Sequence, residues 1–166
     1  MFELLIMRHA KSDWDAGAVD DHERPLAERG VKAARKMGRF LTAADSVPGL
    51  IVTSTAVRAR TTVELAAEAG GWRCPIEQTR AFYDADPRAV VAEIAARSAP
   101  ARLMVVGHDP TWSDLVSLLT GGGAVRLTTA AVACLELPVD GWSQVAPGSG
   151  RLVWLVTPKL LQAVGA

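Results

Sequence analysis

The sequence predicts an α/β fold, a mostly parallel central sheet flanked by helices and completed by antiparallel strands near its C-terminal end. Short apolar runs at residues 2–7, 50–53 and 103–106 are each followed, directly or after a loop, by a segment with helical spacing. That alternation of strand and helix builds parallel sheets. Beyond residue 123 the alternation stops. Runs 131–137 and 152–157 are joined only by the Gly/Pro/Ser-rich stretch 138–150, so they read as antiparallel strands, a hairpin at a sheet edge. Finally, 166 residues of which 49% are hydrophobic suit one core of ordinary size, hence a single domain over 1–166.

Each element has its own local reason. Residues 2–7 form a buried strand, and the polar, Asp-rich stretch 11–24 forms a loop across the mouth of a site. Pro25-Leu26 leads into a helix over 27–44, where Val31, Ala34, Met37 and Leu41 recur on one face. Gly30 and Gly38 weaken this helix slightly and allow close packing. Pro48-Gly49 breaks the chain before the strand 50–53, after which Ser54 or Thr55 can cap a helix over 56–69 that stops at Gly70-Gly71. Residues 75–79 form a weak strand. Asp86-Pro87 supplies an N-cap and a first-turn proline for a helix with Val90, Val91 and Ile94 on its apolar face. Asp109-Pro110 repeats that pattern after the strand 103–106, opening a helix over 110–119 that Gly121–Gly123 ends.

Composition excludes several classes. Eighteen basic residues balance eighteen acidic ones, which offers no bulk case for nucleic acid or an anionic membrane. Residues 2–7 are too short for a signal-peptide core and no run approaches a membrane span, so a cytoplasmic protein is expected. Cys74 and Cys134 lack metal-type spacing and read as small buried hydrophobes. The five tryptophans are scattered and read as core or rim packing.

The chemistry-bearing residues fall at strand ends. Arg8-His9 ends the first strand, Arg58 opens the helix after the second, and His108 follows the third. In open α/β sheets the carboxyl ends of the strands are where ligands bind. Two arginines and two histidines in one crevice call for a multiply charged anion, with phosphate the obvious one. No Gly-x-x-x-x-Gly-Lys-Ser/Thr loop and no dinucleotide fingerprint is present. Arg60 faces elsewhere on its helix, Lys11 is at most a rim residue, and His22 is expected to be exposed.

Arg8-His9-Ala10 resembles the Arg-His-Gly signature of the histidine phosphatase, or phosphoglycerate mutase-like, superfamily. Segments 54–62 and 106–110 resemble its second-arginine and second-histidine segments. The short length, the stretch 7–14 and Arg24-Pro25-Leu26 are most similar to the SixA branch, the bacterial phosphohistidine phosphatases. The resemblance covers about residues 2–157. It implies a three-layer sandwich and a covalent phosphoryl transfer without metal or cofactor. His9 would attack phosphorus through a neutral ring nitrogen, its other nitrogen held by a backbone carbonyl. Arg8, Arg58 and His108 would hold the phosphoryl oxygens, and Arg24 matches a loop arginine that can join them. Water would then hydrolyse the intermediate.

The proton donor is the weakest part of this reading. Asp84 falls near the acidic residue of the mutase branch, and Asp109 follows the second histidine as an acid does in some acid phosphatases of the superfamily. A phosphohistidine's imidazole leaves more readily than an alkoxide, so a SixA-like enzyme tolerates the lack of a dedicated acid. Ala10 replaces the usual Gly. Asp15 stands in a segment where mutases carry Ser-x-Trp-Asn, and an anionic side chain there would be a poor phosphate ligand. Only 50 positions separate Arg58 from His108, fewer than mutases spend on a lid. An open site follows, suited to phosphohistidine on a partner protein. The runner-up is a phosphatase of small phosphate esters or nucleotides, and a third reading is a module that binds phosphorylated groups without turnover. The oligomeric state is not legible.

Overall fold

The computed structural model describes residues 1–165. One six-stranded sheet organises it. The strands are β1 (Phe2–Arg8), β2 (Leu50–Ser54), β3 (Ile76–Thr79), β4 (Arg102–Gly107), β5 (Val132–Leu137) and β6 (Arg151–Val156). Their order across the sheet is β3-β2-β4-β1-β5-β6. The first four lie parallel, whereas β5 and β6 are antiparallel to their neighbours. The predicted parallel sheet with an antiparallel C-terminal edge is therefore the observed one.

Helices cover both faces, which makes three layers. Leu4 and Ile6 of β1 point into a cluster with α3 (Pro87–Ala95) and α4 (Thr111–Leu119), through Val90, Ile94, Trp112 and Leu115. The alternate residues Leu5 and Met7 face α1 (Glu28–Ala43) and α2 (Val57–Gly70), through Met37, Leu41 and Val63. A two-residue period with both faces buried explains why the inner strands read as near-continuous apolar runs. Trp112 and Trp142 are core residues as expected, and Cys134 is buried, but Cys74 is half-buried.

Local chemistry explains most boundaries. Asp86 accepts hydrogen bonds from the N–H groups of Arg88 and Ala89, with Pro87 in the first turn, as its pattern predicts. Gly71 closes α2 in the left-handed conformation at φ 69°. Gly38 packs directly on the backbone of Ala66, which lets α1 and α2 approach closely, and Gly30 packs on the Lys11 carbonyl beside the site. Gly107 leaves room for the Trp112 ring beneath the end of β4, space that a Cβ would occupy.

Three expectations change. The cap of α2 is Ala56, with no side-chain bond, because Ser54 and Thr55 turn their hydroxyls towards histidines instead. Helix α4 begins at Thr111 rather than Pro110, and the Asp109 carboxylate accepts from Ser113 one turn further on, at 3.1 Å from its N and 2.8 Å from its Oγ. A helix α5 (Pro158–Ala163) follows β6 where none was predicted, its start capped by the Thr157 hydroxyl with Pro158 in the first turn.

Candidate active site

The sheet brings the predicted residues together. Adjacent parallel strands β1 and β4 end in register at Arg8 and Gly107, so His9 and His108 emerge side by side with ring centroids 5.2 Å apart. Strand β2 lies on the other side of β4 and delivers Arg58 at the start of α2.

His9 is buried, at 7% exposed. Its Nδ1 lies 2.7 Å from the carbonyl oxygen of Ala10, an acceptor only, so Nδ1 carries the proton and Nε2 keeps its lone pair. Burial is the main cause that lowers the His9 pKa to about 3, assisted by repulsion from the His108 ring whenever that is protonated and from the Arg58 and Arg8 guanidiniums, against the opposing bond to Ala10. The imidazole is therefore neutral throughout the physiological range. Its backbone is held too. Ala10 N donates to Thr62 Oγ1 at 3.0 Å, and Thr62 Oγ1 donates to the Arg58 carbonyl at 2.6 Å, so one hydroxyl ties the nucleophile loop to α2. NMR should show the His9 ring resonances unshifted from pH 8 down to pH 5. A titration midpoint near 6.5 would contradict this environment.

His108 has the same character. Burial and then Arg58 lower its pKa to about 4, with Asp21 opposing. Its Nε2 is 2.8 Å from Ser54 Oγ, and the Tyr83 ring meets it edge-on at 5.6 Å. Its Nδ1 is buried without a protein partner, as are Arg8 Nε and Arg58 Nε. Buried polar groups are rarely left unpaired. Among the described residues the fourth such atom is Arg97 Nε, away from this cluster; the other three fall on the three residues expected to hold phosphoryl oxygens, which suits a site made for an oxyanion.

Both arginines are oriented. Arg8 Nη1 donates to the Leu127 carbonyl at 2.8 Å and lies 3.5 Å from Asp109 Oδ2. Arg58, 6% exposed, donates through Nη1 to the Asp21 carbonyl at 2.7 Å and through Nη2 to Asp21 Oδ2 at 3.1 Å. Arg24 joins the cluster from the loop. It is buried, donates to Ser12 and to Asp21 Oδ1, and its guanidinium stacks 3.6 Å from the Trp14 ring centroid.

Asp21 was not picked out from the sequence. Its carboxylate bridges Arg24 and Arg58 and accepts from the Tyr83 hydroxyl at 3.0 Å. The Arg24 bond, above all, lowers its pKa to about 2. Its partners lie up to 62 positions away, so no local pattern marks it; the only hint was an acid three residues before Arg24. Ser54, Thr62 and Tyr83 were missed as site residues for the same reason. His22 is a correction. It is half-buried, not exposed, because Nε2 meets Thr55 Oγ1 at 2.8 Å and the ring packs edge-on against Tyr83.

The two candidate acids fare differently. Asp84 is exposed, and its carboxylate makes no hydrogen bond or ion pair among the described residues. Asp109 stands beside Arg8 but acts as an acceptor towards Ser113. Lys11 is a rim residue, half-buried beside Arg8, and Arg60 turns away towards Glu64. Among the described residues no group of acids, histidines and cysteines could hold a metal ion, and no helix is long and apolar enough to cross a membrane.

Residues 4–87 match the family model of the histidine phosphatase superfamily (branch 1). An uncharacterised protein of Mycobacterium leprae is 34% identical over 92% of this chain and 100% of its own length. The structure of the protein histidine phosphatase SixA complexed with tungstate superposes with a TM-score of 0.82 at 26% identity, covering 96% of this chain and 99% of that one. A protein of Nakamurella multipartitia assigned as phosphohistidine phosphatase SixA gives 0.79 at 28% identity, with 95% and 96% covered. Sequence, fold and the paired histidines at adjoining strand ends agree, and the chain belongs to the histidine phosphatase superfamily (branch 1), in its SixA-like branch.

Proposed function

We propose that the protein is a metal-independent phosphatase that works through a phosphohistidine on His9 and removes phosphate from phosphohistidine in a partner protein. The observation that carries this is the state of His9, a neutral buried imidazole with Nδ1–H held by Ala10 and Nε2 unprotonated among guanidiniums. In the first step Nε2 forms a bond to phosphorus while the substrate's P–N bond breaks, and the departing imidazole takes up a proton. In the second step water attacks phosphorus, the P–Nε2 bond breaks and inorganic phosphate leaves. Arg8, Arg58 and His108 offer donors to the three peripheral oxygens as charge spreads over them. A SixA relative takes up tungstate, itself an oxyanion, which supports a site for a phosphoryl group in this chain. The fixed guanidiniums supply the positive charge this transfer requires.

The partner-protein reading has separate support. The chain between Arg58 and His108 is spent on α2, β3, α3 and β4, with no inserted lid. Without such a lid, the reaction centre suits a side chain presented by a large partner. An imidazole leaving group also tolerates Asp84 being exposed and Asp109 being engaged. The test compares kcat/KM on a phosphohistidine protein and on an aryl phosphate, both in the presence of chelator. We expect a preference of at least about 10²-fold for phosphohistidine. Efficient ester turnover without that preference would instead favour the small-ester phosphatase, and saturable binding with no turnover of either would favour the binding module.

A further inference from the structure

The chain is neutral overall, yet its charges are segregated around the site. A hollow of about 450 Å³ opens beside Arg8 and is lined by Lys11, Arg29, Arg126 and Lys159. A second hollow, of about 420 Å³, shares Arg29, Ala33, Pro158 and Lys159 with the first and extends it along α1 to Lys36. The two make one groove, and no acidic residue lines it. Lys32 at its edge is paired with Glu28 at 2.7 Å, but Lys11, Arg29, Lys36, Arg126 and Lys159 have no ion pair among the described residues. On the Trp14 side of the loop 11–24, by contrast, a hollow of about 220 Å³ is lined by Asp13, Asp20 and Asp21 with Arg24.

We infer that this basic groove docks an acidic stretch on the surface of the phosphorylated partner protein, a proposal that rests on the phosphohistidine reading above. Arg8 belongs both to the groove and to the reaction centre, so whatever lies in the groove is continuous with a group at His9. The length of the groove argues for a macromolecule. Gly30 packs against Lys11 beside the site, and Lys36 lies six residues further on, about 9 Å along the axis of α1. A small ester with its phosphorus at His9 does not extend along that whole path. The absence of any aromatic side chain from the lining argues against single-stranded nucleic acid, whose bases need stacking platforms. Unpaired cations beside a site, of which Arg29, Arg126 and Lys159 are exposed, steer an acidic partner, and the aspartates across the loop orient it.

The test uses two synthetic phosphohistidine peptides that are identical except for Glu-rich or Lys-rich flanks, together with free phosphohistidine. The variant is Arg29→Glu/Lys159→Glu, at two exposed positions outside the catalytic cluster. We expect wild type to favour the Glu-flanked peptide by at least about tenfold in kcat/KM, through KM, with the preference fading as salt rises. The double variant should lose that preference and still hydrolyse free phosphohistidine at the wild-type rate. A fluorescence anisotropy titration with the unphosphorylated Glu-flanked peptide reads docking without turnover. Groove-dependent binding there, with no hydrolysis of either phosphopeptide, would retain the docking surface and remove the phosphohistidine reading. Equal use of the two peptides by wild type would overturn the proposal. So would tighter, groove-dependent binding of tripolyphosphate or of a single-stranded oligonucleotide.

Discussion

His9→Asn is expected to lower kcat/KM on phosphohistidine substrates by about 10⁴-fold or more, the scale on which removal of a nucleophile acts. Asparagine keeps a donor for the Ala10 carbonyl but has no basic nitrogen to bond phosphorus. The loss should come with disappearance of the acid-labile, base-stable phosphoenzyme that wild type traps on rapid quenching. The fold should survive, because the backbone ties of this position, His9 N to Gly107 O at 3.0 Å and Ala130 N to His9 O at 3.1 Å, do not involve the ring. Full activity in this variant would end the covalent mechanism. Thermal melts add an independent reading. The folded pKa values of His9, about 3, and His108, about 4, lie below the ordinary histidine value of 6.5. The unfolded chain therefore binds more protons as pH falls from 6.5 towards 3, and wild type loses stability through that window. His9→Asn removes one of the two contributions, so its stability should fall less steeply in acid than that of wild type.

Arg58→Lys is expected to lower kcat/KM by about 10²- to 10³-fold, mostly in kcat, since preorganised donors act on charge that develops in the transition state. Lysine retains the charge, so a loss this large would report the fork rather than the net charge. One guanidinium here donates to both the carbonyl and the carboxylate of Asp21 and leaves Nε for a ligand. An ammonium group cannot satisfy that geometry. Part of the loss would come from the loop, because Asp21 also engages Arg24 and Tyr83 and lies in the turn that crosses the site. Arg58→Lys should therefore raise the Asp21 pKa, which an NMR titration of the carboxylate reads. Activity within threefold of wild type would show that Arg58 braces the loop and does not serve the reaction.

Much of the fold was legible because its signals are local. Apolar runs at residues 2–7, 50–53 and 103–106 mark strands whatever they pair with, and the Asp86-Pro87 cap closes its own helix. Where a local group found a distant partner, the sequence-based expectation failed. Ser54 could have capped α2, but it meets His108, 54 positions away. Asp109 does accept from the Ser113 N–H in the first turn of α4, as a cap would, but its other oxygen lies 3.5 Å from Arg8, which no local pattern announces. Helix α5 was missed although Thr157-Pro158 carried the same kind of start signal as Asp86-Pro87. The segment after it, short and ending at the chain terminus, showed too little helical period to be noticed.

The sequence by itself determined the α/β alternation, the antiparallel edge and the gathering of Arg8, His9, Arg58 and His108, because each stands at or just after a strand end and strand ends in such sheets share one side. Only the tertiary structure decided how those residues are held. Asp21 meeting Arg58 from 37 positions away, Thr62 tying Ala10 to α2 and His22 packed on Tyr83 are long-range contacts that no spacing encodes. The same is true of charge. Equal numbers of acids and bases gave no sign for a partner, while folding set unpaired lysines and arginines along α1 and α5 and aspartates across the loop. Electrostatic recognition depends on where charges stand in space, and a sum over the chain discards that information.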